Sequence, residues 1–126
     1  MDVTKPTGGP GGWRILGFGR RPEVAAAIQA QLRSEGIRAK AFALSDDPDE
    51  DARLASELHE ASYDGVAIGG FINGQDPSVR PTFETTVWFN RVLNLVHAHA
   101  PQAKIILVRD PNDALSAIRR VIGSAS

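Results

Sequence analysis

The sequence predicts a three-layer α/β domain: a four-stranded parallel sheet with helices on both faces. Three observations point there. Short apolar runs alternate with stretches of helical periodicity along the chain, and strands that alternate with helices need crossover connections, hence parallel neighbours. Helical stretches open on Pro22, Pro48 and Pro111, a first-turn position where the missing N–H costs nothing. Strands run out into glycines at Gly17/Gly19 and Gly69/Gly70, as strands do where a turn or a close approach follows.

Taken in order, residues 1–12 (MDVTKPTGGPGG) are rich in Gly and Pro and read as a flexible leader outside the fold. Residues 13–18 (WRILGF) form the first strand. From Pro22 the positions Val24, Ile28 and Leu32 recur every four residues, widened by Ala25, and Gly36 stops the helix. Residues 37–44 (IRAKAFAL) alternate Arg38 and Lys40 with small apolar residues, the pattern of an edge strand with one wet side. Asp47 is an N-cap candidate before Pro48, with Glu50 as its capping-box partner, and Leu54, Ala55, Leu58 and Ala61 carry that helix to about Ser62.

Residues 66–72 (VAIGGFI) read as a third strand interrupted by Gly69-Gly70, and residues 73–81 form the longest loop. Thr82 caps a helix that reaches about Ala100, with a broad apolar face from Val87 to Val96, and Pro101 ends it. Residues 104–109 (KIILVR) are the fourth strand. Asp110-Pro111 starts the last helix, striped by Leu115, Ile118, Val121 and Ile122 and closed by Gly123. One domain thus spans 13–123, with a tail at 124–126. The expected strand order is 2-1-3-4, as in a shortened flavodoxin-like or half-Rossmann sheet.

Composition narrows the function classes. The 126 residues are 42% apolar and 23% charged, the balance of an ordinary globular domain. Fourteen basic against fifteen acidic residues give a net charge of −1, so no electrostatic pull toward nucleic acid or an anionic membrane is expected. The absence of cysteine excludes thiol nucleophiles, disulfides and cysteine-ligated metals. The longest aliphatic run is Ile105–Val108, far short of the roughly 20 residues of a membrane helix. With no targeting signal read, the expected localisation is cytoplasmic.

In an open parallel sheet, ligands bind beyond the carboxyl ends of the strands. Segments 17–22, 45–48, 69–81 and 109–112 should meet there. The first, G-F-G-R-R-P, has two glycines of a dinucleotide fingerprint, with Pro22 near the place of the third. Arg20 and Arg21 could bind an anion directly, joined by Arg109; the plainer reading is a tight turn with solvated arginines. Asp46 and Asp47 read as helix caps rather than ribose contacts. Gly69 and Gly70 would let a ligand or another backbone come close, and Asn73, Gln75 and Asp76 follow on a loop long enough to be functional. The candidate ligand-binding set is Gly17, Gly19, Arg20, Arg21, Gly69, Gly70, Asn73 and Arg109. The ligand class is a small anionic or nucleotide-type molecule, with the cofactor unknown.

No nucleophile elbow, phosphate loop or H-E-x-x-H zinc motif is present, so no catalytic residue is assigned. His97 and His99, two apart on one helix, point to nearly opposite sides and cannot share a metal; His59 has no partner in sequence. All three read as structural, and no metal site is expected.

The fourth strand would be an edge, yet IILV is apolar on both faces, and the third long helix is apolar over more than the usual stripe. A homodimer through Trp88, Phe89, Val92 and Leu95, perhaps with the fourth strand, would cover both. A non-catalytic interaction module of this kind and a cofactor-dependent enzyme are the alternatives to ligand binding.

Residues Y-D-G-V-A-I-G-G at 63–70, N-L-V-H-A-H-A-P at 94–101, Q-A-K-I at 102–105 and P-N-D-A-L-S-A-I at 111–118 resemble a family of uncharacterised small bacterial α/β proteins. The family pattern is Y-D-x-V-x-I-G-x-G, then N-x-V-H-x-H-A-P, then a final strand and short helix. The likeness covers 63–122 and is vague over 13–62. The first loop is shorter than in that family, and Phe71 stands where it has a glycine. The resemblance implies a compact bacterial domain and brings no activity with it.

Overall fold

The computed structural model describes residues 12–123; the expected leader, apart from Gly12, and the expected tail lie outside the described residues. The elements are β1 (Arg14–Gly19), α1 (Pro22–Ser34), β2 (Arg38–Ala43), α2 (Pro48–Leu58), β3 (Gly65–Ile68), a single helical turn α3 (Gly70–Asn73), α4 (Phe83–His99), β4 (Lys104–Leu107) and α5 (Ala114–Val121), the last preceded by a 3-10 turn (Pro111–Asp113). All strand pairs are parallel, and the order is β2-β1-β3-β4. None of the helices described is long and apolar enough to cross a membrane.

Local chemistry explains the boundaries. Asp47 accepts the Asp49 N–H ahead of Pro48, and Asp110 accepts the Asn112 N–H ahead of Pro111. Thr82 and Thr85 form a reciprocal capping box at the start of α4. Gly36, with φ of 86°, takes the left-handed conformation that turns the chain from α1 into β2.

Three sequence expectations need correction. β3 ends at Ile68 rather than Ile72, because the Gly70–Asn73 segment winds into a turn closed by left-handed Gly74. α2 stops at Leu58, with His59 as its C-cap, rather than near Ser62. Glu50 does not complete a capping box; its carboxylate pairs with Arg53 one turn on.

Strand alternation sorts the core into two layers. Leu16, Phe18, Phe42, Val66 and Ile68 face Leu54 and Leu58 of α2 and Trp88, Val92 and Val96 of α4. Ile15, Ala39, Ala67, Ile106 and Val108 face Leu32 of α1 and Ala117 and Ile118 of α5. The register makes the layers unequal. One row across the sheet is Phe42–Phe18–Ile68, on the α2/α4 side; the next is Ala41–Gly17–Ala67, on the α1/α5 side. Each large side chain buried on the first side contributes about 1.5–3 kcal/mol, and the rings of Phe18 and Phe42 pack with centroids 5.9 Å apart.

The self-association expected through Trp88, Phe89, Val92 and Leu95 is overturned as drawn. Trp88 is 3% exposed and Val92 is fully buried, both inside the α2/α4 layer, with Phe89 and Leu95 packed against it. The apolar surface lies elsewhere, at Phe83 (79% exposed), Val87, Ile105 (38%) and Leu107 (40%).

Candidate functional site

The small-residue row leaves a cleft of about 200 Å³ between α1 and α5. Its floor is Gly17, Ala39, Ala41 and Ala67; Val24, Ala25, Ile28 and Leu32 of α1 form one wall, and Ala114 and Ile118 of α5 with Val108 form the other. A Cβ added at Gly17 would come no closer than 3.8 Å to its nearest neighbours, the Ala41 and Ala67 methyls, and one at Gly19 would meet nothing within 4 Å. The space over β1 is therefore open, and it widens toward the carboxyl end of the sheet.

The mouth is polar. Arg20, Arg21, Asp76, Ser78 and Asp110 line it, beside Gly69, Gly70 and Phe71. The two arginines differ. Arg21 pairs with Glu23 at 2.9 Å. Arg20 lies over the Phe71 ring, 4.2 Å from its centroid, and has no carboxylate partner among the described residues. Stacking holds the guanidinium plane while leaving its N–H edge free. At the same rim α1 begins with Pro22, which has no N–H, and with no side-chain cap at Arg21; the Glu23 carboxylate sits on the first turn, held below its ordinary value by the backbone N–H of its own residue and by Arg21.

The acids at the mouth already have partners. Asp76 accepts the Ser78 N–H at 2.9 Å and its hydroxyl at 2.7 Å; those bonds hold the carboxyl below the usual carboxylate range, with a smaller push from Arg109. Asp110 caps the 3-10 turn and stands 3.6 Å from Arg109. The Ser78 hydroxyl is thus spent as a donor within a turn.

Of the eight residues read from sequence, six line the cleft: Gly17, Gly19, Arg20, Arg21, Gly69 and Gly70. Their roles divide. A Cβ at Gly69 would come within 3.1 Å of the Gly19 Cα and the Phe18 carbonyl, and one at Gly70 would fall 1.9 Å from the Arg109 carbonyl oxygen. The paired glycines accommodate neighbouring backbone. Asn73 is not in the lining. Its amide donates to the Ile68 and Val108 carbonyls at 2.8 and 2.9 Å and accepts the Gln75 N–H, clamping the ends of β3 and β4 together. Arg109 is also outside the lining, its side chain exposed beside Asp110. The three-arginine anion site is therefore not assembled. Asp47 caps α2 and Asp46 pairs with Arg91 of α4, which also holds Asp51.

Sequence reading missed the floor and the platform. The alternation in R-A-K-A-F-A, with Gly17 and Ala67 in neighbouring strands, already carried the small-residue signal for the floor. Nothing local marks Phe71 as the support for Arg20.

No protein-family model matches the chain, and no curated protein matches it.

Proposed function

We propose that this domain binds a small anionic molecule with a compact apolar body, the apolar part in the α1/α5 cleft and the charged end at Arg20. The observation that carries this reading is the open cleft over Gly17 with an unpaired, ring-stacked guanidinium at its mouth. An apolar cavity of about 150 Å³ admits a benzene ring, so about 200 Å³ suits a body slightly larger than one six-membered ring. Typical drug-sized pockets occupy about 300–1,000 Å³, which favours a simple carboxylate or phosphate ester over a nucleotide. The resemblance over residues 63–122 adds no activity to this reading.

The test is a thermal-shift screen of the untagged protein against monocyclic and short-chain carboxylates and phosphates. At 100-fold excess over Kd, selective binding adds about 2.7 kcal/mol, a rise of roughly 10 °C. Gly17→Leu fills the cleft and should abolish the shift while the variant stays folded; Arg20→Gln should weaken it. A shift that persists in Gly17→Leu overturns the reading.

A second reading, self-association of two copies, rests on a different observation. Among the described residues β4 is paired on one side only, by β3, and Ile105 and Leu107 stand half-exposed on its α4 side. An apolar edge strand with unpaired backbone groups is a template for a second strand, and a copy of β4 across a two-fold axis would extend the sheet and cover both side chains.

A further inference from the structure

His59, the C-cap of α2, and His99, the last residue of α4, meet across the sheet's α2/α4 layer with Nε2 of His59 3.0 Å from Nδ1 of His99. The rings stand edge to face, centroids 5.1 Å apart and planes at 83°. The sites of both rings are open to solvent, His59 exposed and His99 half-buried. α2 and α4 each follow a strand of one parallel sheet, so the two helices end side by side. The negative poles of two helix dipoles converge on the imidazole pair and favour a cation there. The His99 ring belongs to the H-A-H-A-P segment, of which Ala100 enters the core and no residue lines the cleft.

The geometry points to a two-imidazole chelate for a divalent transition metal, Cu²⁺ foremost. With metal–nitrogen bonds of about 2.0–2.1 Å, cis ligands sit about 2.9 Å apart at a right angle and about 3.3 Å apart at the tetrahedral angle. The 3.0 Å separation, which the rings now hold as a hydrogen bond, lies close to the right-angled bite of tetragonal Cu²⁺ or Ni²⁺, so turning the two nitrogens toward one ion needs ring rotation and no movement of the helices. Copper stands highest in the affinity order for nitrogen sites. Either imidazole nitrogen ligates when neutral, and the proton that now joins the two rings moves to the outer nitrogen of its own ring, so a neutral pair binds the ion without net proton release. Among the described residues no set of three or more His, Asp or Glu is grouped to hold a metal. Water therefore completes the coordination, and the bound ion stays exchangeable and solvent-facing.

The test uses the full, untagged chain in a non-coordinating buffer, titrated with Cu²⁺ and followed by calorimetry and electron paramagnetic resonance. The expected result is one ion per chain with imidazole nitrogen hyperfine structure, bound more tightly than Ni²⁺ or Zn²⁺. Affinity should fall at least tenfold in His59→Gln and in His99→Gln, and acid should displace the ion. His97→Gln, two residues away on the opposite side of α4, should bind as the wild type does. Thermal melts check that each surface variant is folded. Copper uptake that is the same in wild type and in the His59→Gln/His99→Gln double variant overturns the proposal, as does a loss that follows His97.

Discussion

Gly70 lies so close to Arg109 that a methyl group on its α-carbon would sit 1.9 Å from the Arg109 carbonyl oxygen. The turn after β3 and the end of β4 are thereby in direct backbone contact. Gly70→Ala has no flexible side chain to displace and must shift one strand end, at about 3 kcal/mol, the upper part of the range for overpacking. Gly19→Ala, with nothing within 4 Å of the new methyl, should stay within about 0.5 kcal/mol of the wild type. Urea denaturation of the two variants tests the contrast; equal midpoints would refute the close approach.

Asn73 reinforces the same junction. In Asn73→Ala the Ile68 carbonyl keeps the Val108 N–H, so the loss falls on the Val108 carbonyl and the Gln75 N–H. One or two polar groups left unpaired cost about 2 kcal/mol, or a fall in Tm of roughly 5–10 °C. Asn73→Asp places a carboxylate against two carbonyl oxygens and should gain stability on acidification, because its protonated form can donate again. A variant whose stability is unchanged between pH 7 and pH 5 would contradict that account.

Asp113 accepts two bonds from Arg120, at 3.0 and 3.1 Å, and the Arg109 N–H at 3.0 Å. Chiefly through Arg120, its carboxyl is held below the ordinary value. A carboxylate depressed in the folded state contributes stability that is complete above its unfolded pKa, near 3.9, and is lost as pH falls through the lower folded value. The stability difference between wild type and Asp113→Asn should therefore be flat from neutral pH to about pH 5 and shrink below about pH 4. A difference that widens on acidification would show the opposite sign.

Self-association along β4 predicts a molar mass that rises with concentration and returns to the monomer in Ile105→Lys/Leu107→Lys. Both side chains are half-exposed, so the double variant should fold with a similar Tm. Sedimentation showing a strict monomer at several hundred micromolar would end that reading.

The fold was largely legible because its signals are local. Caps at Asp47, Thr82 and Asp110 and the prolines after the first and last of them mark helix starts, and two-residue alternation marks β2. The errors arose where distant backbone decided. The freedom of Gly69-Gly70 was visible, but what it accommodates is the carbonyl of Arg109 and the chain at Gly19, which no window of sequence contains. The same holds for His59 and His99, brought to 3.0 Å by helices whose residues are 40 positions apart. Helical periodicity tests pairs on one helix and is silent about pairs across two. Trp88 and Val92 looked surplus to a helix stripe because the bulk of Phe18 and Phe42 beneath them could not be weighed without the register.

The unequal layers of the sheet carry a consequence for how such a domain diversifies. With the bulkiest strand side chains on the α2/α4 side, the part-exposed cleft wall on the opposite side answers to a weaker structural constraint than either buried layer. Substitutions at Val24 or Ile28, both part-exposed in the cleft wall, can therefore reshape the cleft while the scaffold holds, so its contour in descendants of this chain should drift faster than architecture.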